Sequence, residues 1–326
     1  MGTKGIDIDI KEDEIQTWGN DILEELLIDH TTGKNIIWAT DNYKYLGKGY
    51  DEWDIISPES ITGKNGLVLR PRVNKSKEEQ EHRSRDKAEV FTSAWICNKQ
   101  NNLIDIAWFE TESSPFNTET EQGWITKHEK VSFPKEKTWQ DYVKDTRLEM
   151  ACGEAPYLVS RYNVVTGEGI DVKDRIGLLD RKLRIVSENT SDESEWFEWA
   201  IIAYQNTYGF EWQGDNLLLA REALLYTFRD YYSAKFGKMP TTAQILNIAK
   251  IVSWNIWQMD GLKGVVPGSC HEQVNEVIDL FGESSKTIIP CKGCQTDDIY
   301  KHNGKYCLIK DWENGKKVRF IDLLNK

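Results

Sequence analysis

Apolar positions near the start of the chain recur at helical spacing and then give way to a strand-like run. Between residues 13 and 27 they fall at intervals of three, four and seven, at Ile15, Trp18, Ile22, Leu23 and Leu26. This spacing predicts a helical stripe that packs on a core. Residues 34–40 predict a strand, and residues 41–50 predict a loop in which aromatic and basic side chains interleave. Such a loop is usually an ordinary solvated one, although it could also contact a nucleic-acid strand.

The stretch from residue 147 to 159 carries the most informative pattern. Arg147 to Met150 predict a short strand, and Ala151, Cys152 and Gly153 predict a tight turn that runs directly into a helix. Small residues after a strand let a ligand approach the backbone, and a helix N-terminus offers unpaired N–H groups. The stretch therefore predicts a loop for a nucleotide-like cofactor, but a merely tight connection has the same pattern.

Helical and strand-like segments alternate over the following hundred residues. The pattern predicts helices over 178–186 and 195–204, a strand over 208–211, helices over 215–236 and 241–253, and a strand from 254. Asp215 or Asn216 is a natural N-cap for the long helix, and Gly237 ends it. This alternation predicts an open α/β sheet that binds ligands at the carboxyl ends of its strands.

The last fifth of the chain holds four of the six cysteines. The spacing predicts a closed tetrahedral zinc site with the ligands Cys291, Cys294, His302 and Cys307. Cys270 or His271 could replace His302 as a ligand. Four reduced cysteines without a metal are the alternative interpretation.

Charge restricts the class of partner. The chain of 326 residues has a net charge of −12 and a pI near 5.1, which argues against a broad basic face that grips duplex DNA. A partner subunit could supply such contacts. The sequence contains no apolar run of membrane-spanning length and no signal-peptide core at its start, so we expect a cytoplasmic protein without a membrane partner.

The most charged stretch covers residues 68–87. Its basic residues are Arg70, Arg72, Lys75, Lys77, Arg83, Arg85 and Lys87, and they alternate with Glu78, Glu79 and Glu81. Two interpretations stay open: a phosphate-binding rim near the cofactor loop, or a solvated helix face with offsetting charges.

The cofactor loop resembles that of the S-adenosylmethionine-dependent amino-methyltransferases of restriction-modification systems, the DNA adenine methylases. Their loop usually reads acidic-Pro-Ala-Cys-Gly-Ser-Gly. In this chain Glu149 stands for the acid and Met150 for the proline, Ala151 to Gly153 match, and Glu154 and Ala155 replace Ser-Gly.

Three further segments resemble the same family in the expected order. Phe91 and Thr92, followed by Ser93, are similar to the Phe-Thr-Pro segment that opens the methylase fold. Residues 208–225 resemble its second strand and helix, and residues 254–262 resemble the end of its third strand, usually Asn-Ile-x-x-Gly-Asp-Ala-Leu. The resemblance covers roughly residues 85–262.

The resemblance implies S-adenosylmethionine as cofactor and a role for each matched residue. Glu211 would accept hydrogen bonds from the ribose hydroxyls, Asp260 would accept from the adenine amino group, and Phe91 and Thr92 would lie near the methionine moiety. The implied cofactor residues are Phe91, Thr92, Glu149, Ala151, Cys152, Gly153, Glu211, Trp212, Asp260 and Leu262. Without the resemblance, Glu211 reads as an exposed strand-end glutamate, Asp260 as a turn or N-cap residue, and Thr92 as a helix cap.

One element of the family is missing from the sequence. The methylases hold the target amino group with an Asn/Asp-Pro-Pro-Tyr/Phe tetrad after the fourth strand, and no such tetrad occurs in this chain. The sequence therefore identifies no catalytic residue. Two functions stay open: a DNA adenine methyltransferase, or a subunit of one in a restriction-modification or phage system, and a methyltransferase-like protein that binds the cofactor or a defence partner without transferring methyl groups.

These observations predict an α/β protein with three regions. Residues 1–75 would form a small N-terminal α+β region. Residues 76–265 would form a Rossmann-like methyltransferase domain that binds S-adenosylmethionine, with helices on both faces of its sheet. Residues 266–326 would form a cysteine-rich, zinc-ribbon-like tail.

Overall fold

A computed structural model describes residues 8–87, 89, 91–278 and 284–324. Within these ranges the chain is mixed helix and sheet. The helices are α1 Glu12–Trp18, α2 Asn20–Leu27, α3 Pro58–Ile61, α4 Lys77–Lys87, α5 Ala94–Phe109, α6 Trp139–Lys144, α7 Leu178–Asn189, α8 Glu193–Gln205, α9 Gly214–Phe236, α10 Thr242–Asn255 and α11 Lys292–Thr296. The strands are β1 Ile28–Asp29, β2 Lys34–Asn35, β3 Asn117–Glu119, β4 Trp124–Thr126, β5 Arg147–Met150, β6 Thr207–Glu211, β7 Ile256–Gln258, β8 Gln273–Ile278, β9 Ser284–Ile289, β10 Leu308–Asp311 and β11 Lys316–Arg319.

The central sheet has three parallel strands in the order β5–β6–β7. Arg147 lies opposite Thr207, and Gly209 lies opposite Ile256. The other strands pair only as antiparallel two-stranded sheets within the described residues: β1–β2, β3–β4, β8–β9 and β10–β11. Because β5 has one neighbour, the described sheet ends at the strand that precedes the predicted cofactor loop.

The two faces of the central sheet pack against different partners. Ile256 belongs to a large hydrophobic core that includes residues of α7, α8, α9 and α10. Phe210 and Trp257, on the opposite face, belong to a smaller core with Cys307, Phe320 and other C-terminal residues. The prediction of helices on both faces is therefore corrected, because the C-terminal segment covers the second face. Successive crossovers that advance in one direction place their helices on the same face.

The long helices form where local signals predict them. Helix α9 ends at Gly237, which adopts the left-handed conformation (φ 66°), as a glycine can without a steric penalty. Helix α10 begins after Thr241, whose hydroxyl accepts from the N–H of Gln244 while the Gln244 side chain accepts from the N–H of Thr241. This reciprocal capping box satisfies two N-terminal donors.

The helix predicted directly after the Ala151–Gly153 turn does not form. Residues 151–177 make turns and a short 3₁₀ segment, and the next α-helix begins only at Leu178. Ala151, Gly153 and Ala155 all have φ between 53° and 59°, and left-handed residues at alternate positions cannot continue a right-handed helix. The predicted helix N-terminus is thus not available to a ligand.

The N-terminal segment packs into the same large core as the helices beside the sheet. Ile15, Ile22, Leu23 and Leu26 are fully buried, and Trp18 packs partly buried against them, as their helical spacing predicts. The strand predicted over 34–40 is shorter, because after β2 the chain continues with an isolated bridge at Ile37 and single backbone hydrogen bonds from Trp38 and Ala39. The domain boundary at residue 75 stays a prediction. Among the described residues no helix combines the length and apolarity needed to cross a membrane.

Candidate functional site

A cavity of about 330 Å³ opens at the carboxyl ends of β5 and β6. Such a volume lies at the lower end of small-molecule sites, which span roughly 300–1,000 Å³. Three segments meet there: the residues just before α5, the bend after β5 and the residues after β6. The described lining residues are Glu89, Phe91, Thr92, Glu149, Ala151, Cys152, Gly153, Glu154, Pro156, Tyr157, Glu211, Trp212, Gln213 and Asn216.

Eight of the ten predicted cofactor residues line this one cavity: Phe91, Thr92, Glu149, Ala151, Cys152, Gly153, Glu211 and Trp212. They come from segments separated by up to 121 positions in the sequence. Ala88 and Val90, which flank the first of these segments, lie outside the described residues. The fold thus brings together the three parts of the chain whose sequences carry the first three resemblances.

The bend after β5 is fixed by Glu211. The Gly153 N–H donates to Glu211 Oε2 at 2.8 Å, and Glu211 Oε1 accepts from the N–H groups of Trp212 and Gln213 at 3.0 and 3.2 Å. A side chain built on Gly153 would meet only the Phe91 ring, 3.9 Å away, so the backbone there faces open space. A carboxylate has about four acceptor sites, and Glu211 therefore keeps capacity for a further donor from a ligand.

The cavity is acidic. Its described lining includes four glutamates but no lysine, arginine or histidine. Burial raises the pKa of Glu211, Glu149 and Glu154, although hydrogen bonds from backbone N–H groups act in the opposite direction on each. Such a lining disfavours a phosphate-bearing ligand and favours one that carries positive charge. We call it the acid-lined cavity.

Among the side chains that the structure describes, the basic residues predicted as a phosphate rim do not line this cavity. Arg83 is buried, forms an ion pair with Glu89, and donates to Asp215 Oδ2 at 2.7 Å. Lys75 is also buried, with its ammonium 3.9 Å from the same Asp215 oxygen, and burial lowers its pKa. Arg70 is half-exposed, 3.5 Å from Glu79. Arg83 and Lys75 therefore stabilise the wall of the cavity rather than its mouth.

Asp260 and Leu262 lie outside the acid-lined cavity. Asp260 Oδ1 accepts from the N–H groups of Leu262 and Lys263 at 3.1 and 3.2 Å, and the Leu262 side chain is 90% exposed. The Phe210 ring packs over the turn, because a Cβ on Gly261 would lie 2.6 Å from it. These contacts are those of a turn residue, the alternative that the Asp-Gly sequence offered, and the role of Asp260 as acceptor for an adenine amino group stays a prediction.

A second candidate site lies in the C-terminal segment. The side chains of Cys270, Cys291, Cys294 and His302 place one ligand atom each within 4.8 Å of the others. Each of the three sulfurs lies 3.6 Å from His302 Nδ1. Zinc–sulfur and zinc–nitrogen bonds of about 2.3 and 2.1 Å at the tetrahedral angle require a separation of about 3.6 Å. We call this group the Cys3His cluster, and its geometry fits a closed zinc site.

Two glycines and a backbone N–H shape the cluster. A Cβ on Gly293 would lie 2.6 Å from the His302 ring, and one on Gly304 would lie 2.9 Å from Cys270 Sγ. The Asn303 N–H donates to Cys291 Sγ at 3.3 Å. Burial raises the pKa of the Cys291 thiol, but this N–H and neighbouring donors outweigh burial and bring the pKa to about 6. Cys291 is thus poised to bind metal as a thiolate.

The prediction of Cys307 as the fourth zinc ligand is corrected. Cys307 is fully buried in the smaller core, where its thiol donates to the Gln258 carbonyl at 3.3 Å. Cys270 takes its place, whereas the sequence offered Cys270 only as a substitute for His302. The order of the elements would have indicated Cys270. Strands β8 and β9 lie between Cys270 and Cys291, and an antiparallel hairpin brings the residues at its two ends close together.

Four further lining residues of the cavity were not identified as site residues from the sequence, although each adjoins a predicted segment: Glu154, Tyr157, Gln213 and Asn216.

Comparison with known proteins identifies no relative: no protein-family model matches the chain, and no curated protein or solved structure matches it.

Proposed function

We propose that the acid-lined cavity binds S-adenosylmethionine and that the chain is a DNA adenine methyltransferase, or the cofactor-binding subunit of one, in a restriction-modification or phage system. One observation carries the proposal: eight residues assigned to the cofactor by resemblance line a single cavity at the carboxyl ends of two parallel strands. Ligands of open α/β sheets bind at that end of the strands. The Rossmann-like character of the sheet is part of the proposal.

The lining residues suit a cationic nucleoside. Glu211 would accept from the ribose hydroxyls with the acceptor capacity that its three N–H contacts leave. The open backbone at Gly153 provides room for the ligand, and the aromatic rings of Phe91, Tyr157 and Trp212 can contact its base or its charge. When bound, S-adenosylmethionine supplies an activated methyl group.

The acceptor half of the reaction requires a partner in this proposal. The chain contains no Asn/Asp-Pro-Pro-Tyr/Phe tetrad, and its net charge is −12. A partner subunit that binds DNA and presents the adenine amino group would complete the site by proximity and orientation. We therefore assign no residue of this chain to proton transfer or to base contacts.

We propose zinc as the metal of the Cys3His cluster. Four protein ligands leave no open position, which is typical of structural zinc rather than catalytic zinc. Cys270 lies three residues before β8 and Cys291 lies two residues after β9, so the metal would fix the base of the hairpin that these strands form. Metal analysis of protein purified without added zinc tests the assignment, and one equivalent per chain is expected.

Calorimetry with S-adenosylmethionine, together with transfer from labelled cofactor to unmodified DNA, tests the function. Binding with transfer supports the enzyme, whereas binding without transfer to any DNA supports the second candidate, a protein that binds the cofactor but does not transfer methyl groups. The missing tetrad favours that second candidate for the isolated chain. The absence of any binding would contradict both candidates. Glu211→Gln should weaken binding, and Glu136→Gln, on the exposed surface, is the matched control.

A further inference from the structure

The acid-lined cavity departs from the resembled family in its charge. Where the methylase loop has serine, this chain has Glu154, which lines the cavity and is only 3% exposed. Glu149, Glu211 and Glu89 are the other acidic lining residues. The substitution thus adds a buried carboxyl to a cavity that already holds three.

Glu154 is held rigidly. Its Oε1 accepts from the Arg72 N–H at 2.7 Å, and its Oε2 accepts from the Tyr162 hydroxyl at 2.8 Å. Donors at both oxygens suit the ionised form of this carboxyl, although burial raises its pKa. The carboxylate is therefore preorganised and need not move to meet a ligand.

Three of the four carboxyls have no hydrogen-bonded cationic partner. Glu89 is neutralised by its ion pair with Arg83. The hydrogen-bond partners of Glu149, Glu154 and Glu211 are instead backbone N–H groups and one phenol. These partners carry no formal charge, although the buried Lys75 lowers the pKa of Glu154. A cation in the cavity would therefore favour the ionised forms of the three carboxyls, whose pKa burial raises, and would be attracted by their negative field. A cation in so little water feels that field far more than it would in bulk solvent.

We propose that the cavity selects its ligand by charge: it binds the sulfonium nucleoside S-adenosylmethionine and rejects the neutral thioether that remains after the methyl group has left, with Glu154 as a specificity-determining residue. The inference rests on the proposed function. Both nucleosides share the adenosine and the amino-acid group, and only the charge at sulfur and its methyl group differ. Charge selection would release the product and keep it from accumulating as an inhibitor.

Isothermal titration of the full chain with three ligands tests the proposal. The ligands are S-adenosylmethionine, S-adenosylhomocysteine, and sinefungin, in which a protonated amine group replaces the sulfonium. We expect both cations to bind at least about tenfold more tightly than the thioether, a difference of about 1.4 kcal/mol. Equal affinities for the sulfonium and the thioether would overturn the charge selection but leave the proposed function intact. If no ligand binds, both fail.

Glu154→Gln isolates the added carboxyl. The Tyr162 hydroxyl can rotate to accept from the glutamine amide, so the contact at Oε2 survives. We expect the preference for cations to fall several-fold while the affinity for S-adenosylhomocysteine stays within about twofold. Glu136→Gln removes the same charge from the exposed surface and should leave the preference unchanged. A preference that survives Glu154→Gln would remove Glu154 from the proposal, and the wild-type titration tests charge selection even if this variant does not fold.

Discussion

The acid-lined cavity and the Cys3His cluster are assembled by opposite means. Hydrogen bonds within the protein hold the cavity, such as the contact of the Gly153 N–H with Glu211, so its shape does not depend on a ligand. The cluster gathers three thiols and an imidazole whose ligand atoms lie within 4.8 Å of one another. Soft ligands so close together are stabilised by a metal and repel one another as thiolates. The cavity should therefore keep its shape without a ligand, whereas the folding of the C-terminal segment should depend on a bound metal.

The largest expected effect is loss of the metal when a cluster ligand is removed. Cys270→Ser should lower the zinc content well below one equivalent and the melting temperature by roughly 5–10 °C, because binding free energy of a structural metal is folding free energy. Cys307→Ala, which removes a buried thiol outside the cluster, should retain one equivalent. Metal analysis and calorimetry measure both variants. If Cys307→Ala loses the metal and Cys270→Ser keeps it, the ligand set predicted from the sequence is correct instead.

The sequence predicts local features of both regions and fails at contacts between distant segments. The bounds of α9 and α10 follow from Gly237 and Thr241 because a helix end depends on a few adjacent residues. Cys291 and Cys294 both lie in the Cys3His cluster, as their local spacing predicts. The fourth ligand depends on the hairpin that starts after Cys270, and periodicity alone does not choose between Cys270 and Cys307.

The cavity shows the same division between local and distant information. The small residues after β5 predict a bend, and the chain does bend there. The prediction of a helix directly after the bend was wrong, because alternate residues adopt positive φ. Glu211 lines the cavity as predicted, whereas Asp260 hydrogen-bonds within its own turn. An aspartate before a glycine suits either a turn residue or an acceptor for an adenine amino group, so the sequence alone does not distinguish the two roles of Asp260.

A glycine substitution tests the packing of the cluster more gently. Gly293→Ala places a methyl group 2.6 Å from both the ring and the backbone nitrogen of His302, so this residue must move and the tetrahedral arrangement is lost. We expect weaker zinc binding, by about tenfold or more in a competition assay with a chromophoric chelator. Gly123→Ala, in the turn between β3 and β4, is the control. Unchanged zinc affinity in Gly293→Ala would show that the metal does not need His302 in this position.

A matched substitution in the cavity should leave the fold intact. Glu211→Gln keeps the volume of the side chain but removes the charge and turns one acceptor into a donor that faces N–H groups. We expect the affinity for S-adenosylmethionine to fall about 10- to 100-fold, with the melting temperature reduced by only a few degrees. The zinc content should stay at one equivalent. A joint loss of zinc and of cofactor binding would contradict the independence of the two regions.

The smallest expected effect concerns pH and separates cofactor binding from stability. Burial raises the pKa of Glu149, Glu154 and Glu211, and a bound cation favours their ionised forms. The affinity for S-adenosylmethionine should therefore rise as pH increases from the usual glutamate range near 4.5 toward these raised values, and binding should release protons. Titration in buffers of different ionisation enthalpy measures that release. No dependence on pH would imply that the carboxyls are ionised before the ligand arrives.

A buried carboxyl outside the cavity provides the control for that experiment. Glu12 has no hydrogen-bond partner for either carboxyl oxygen among the described residues, and burial raises its pKa to about 8. Its folded-state pKa exceeds the unfolded value, so its protonated form stabilises the fold fully below about pH 4.5. That contribution is lost as pH rises toward 8. Glu12→Gln should remove this slope from the free energy of unfolding and leave the pH dependence of cofactor affinity unchanged. If Glu12→Gln also abolishes the pH dependence of binding, global stability rather than the cavity carboxyls governs it.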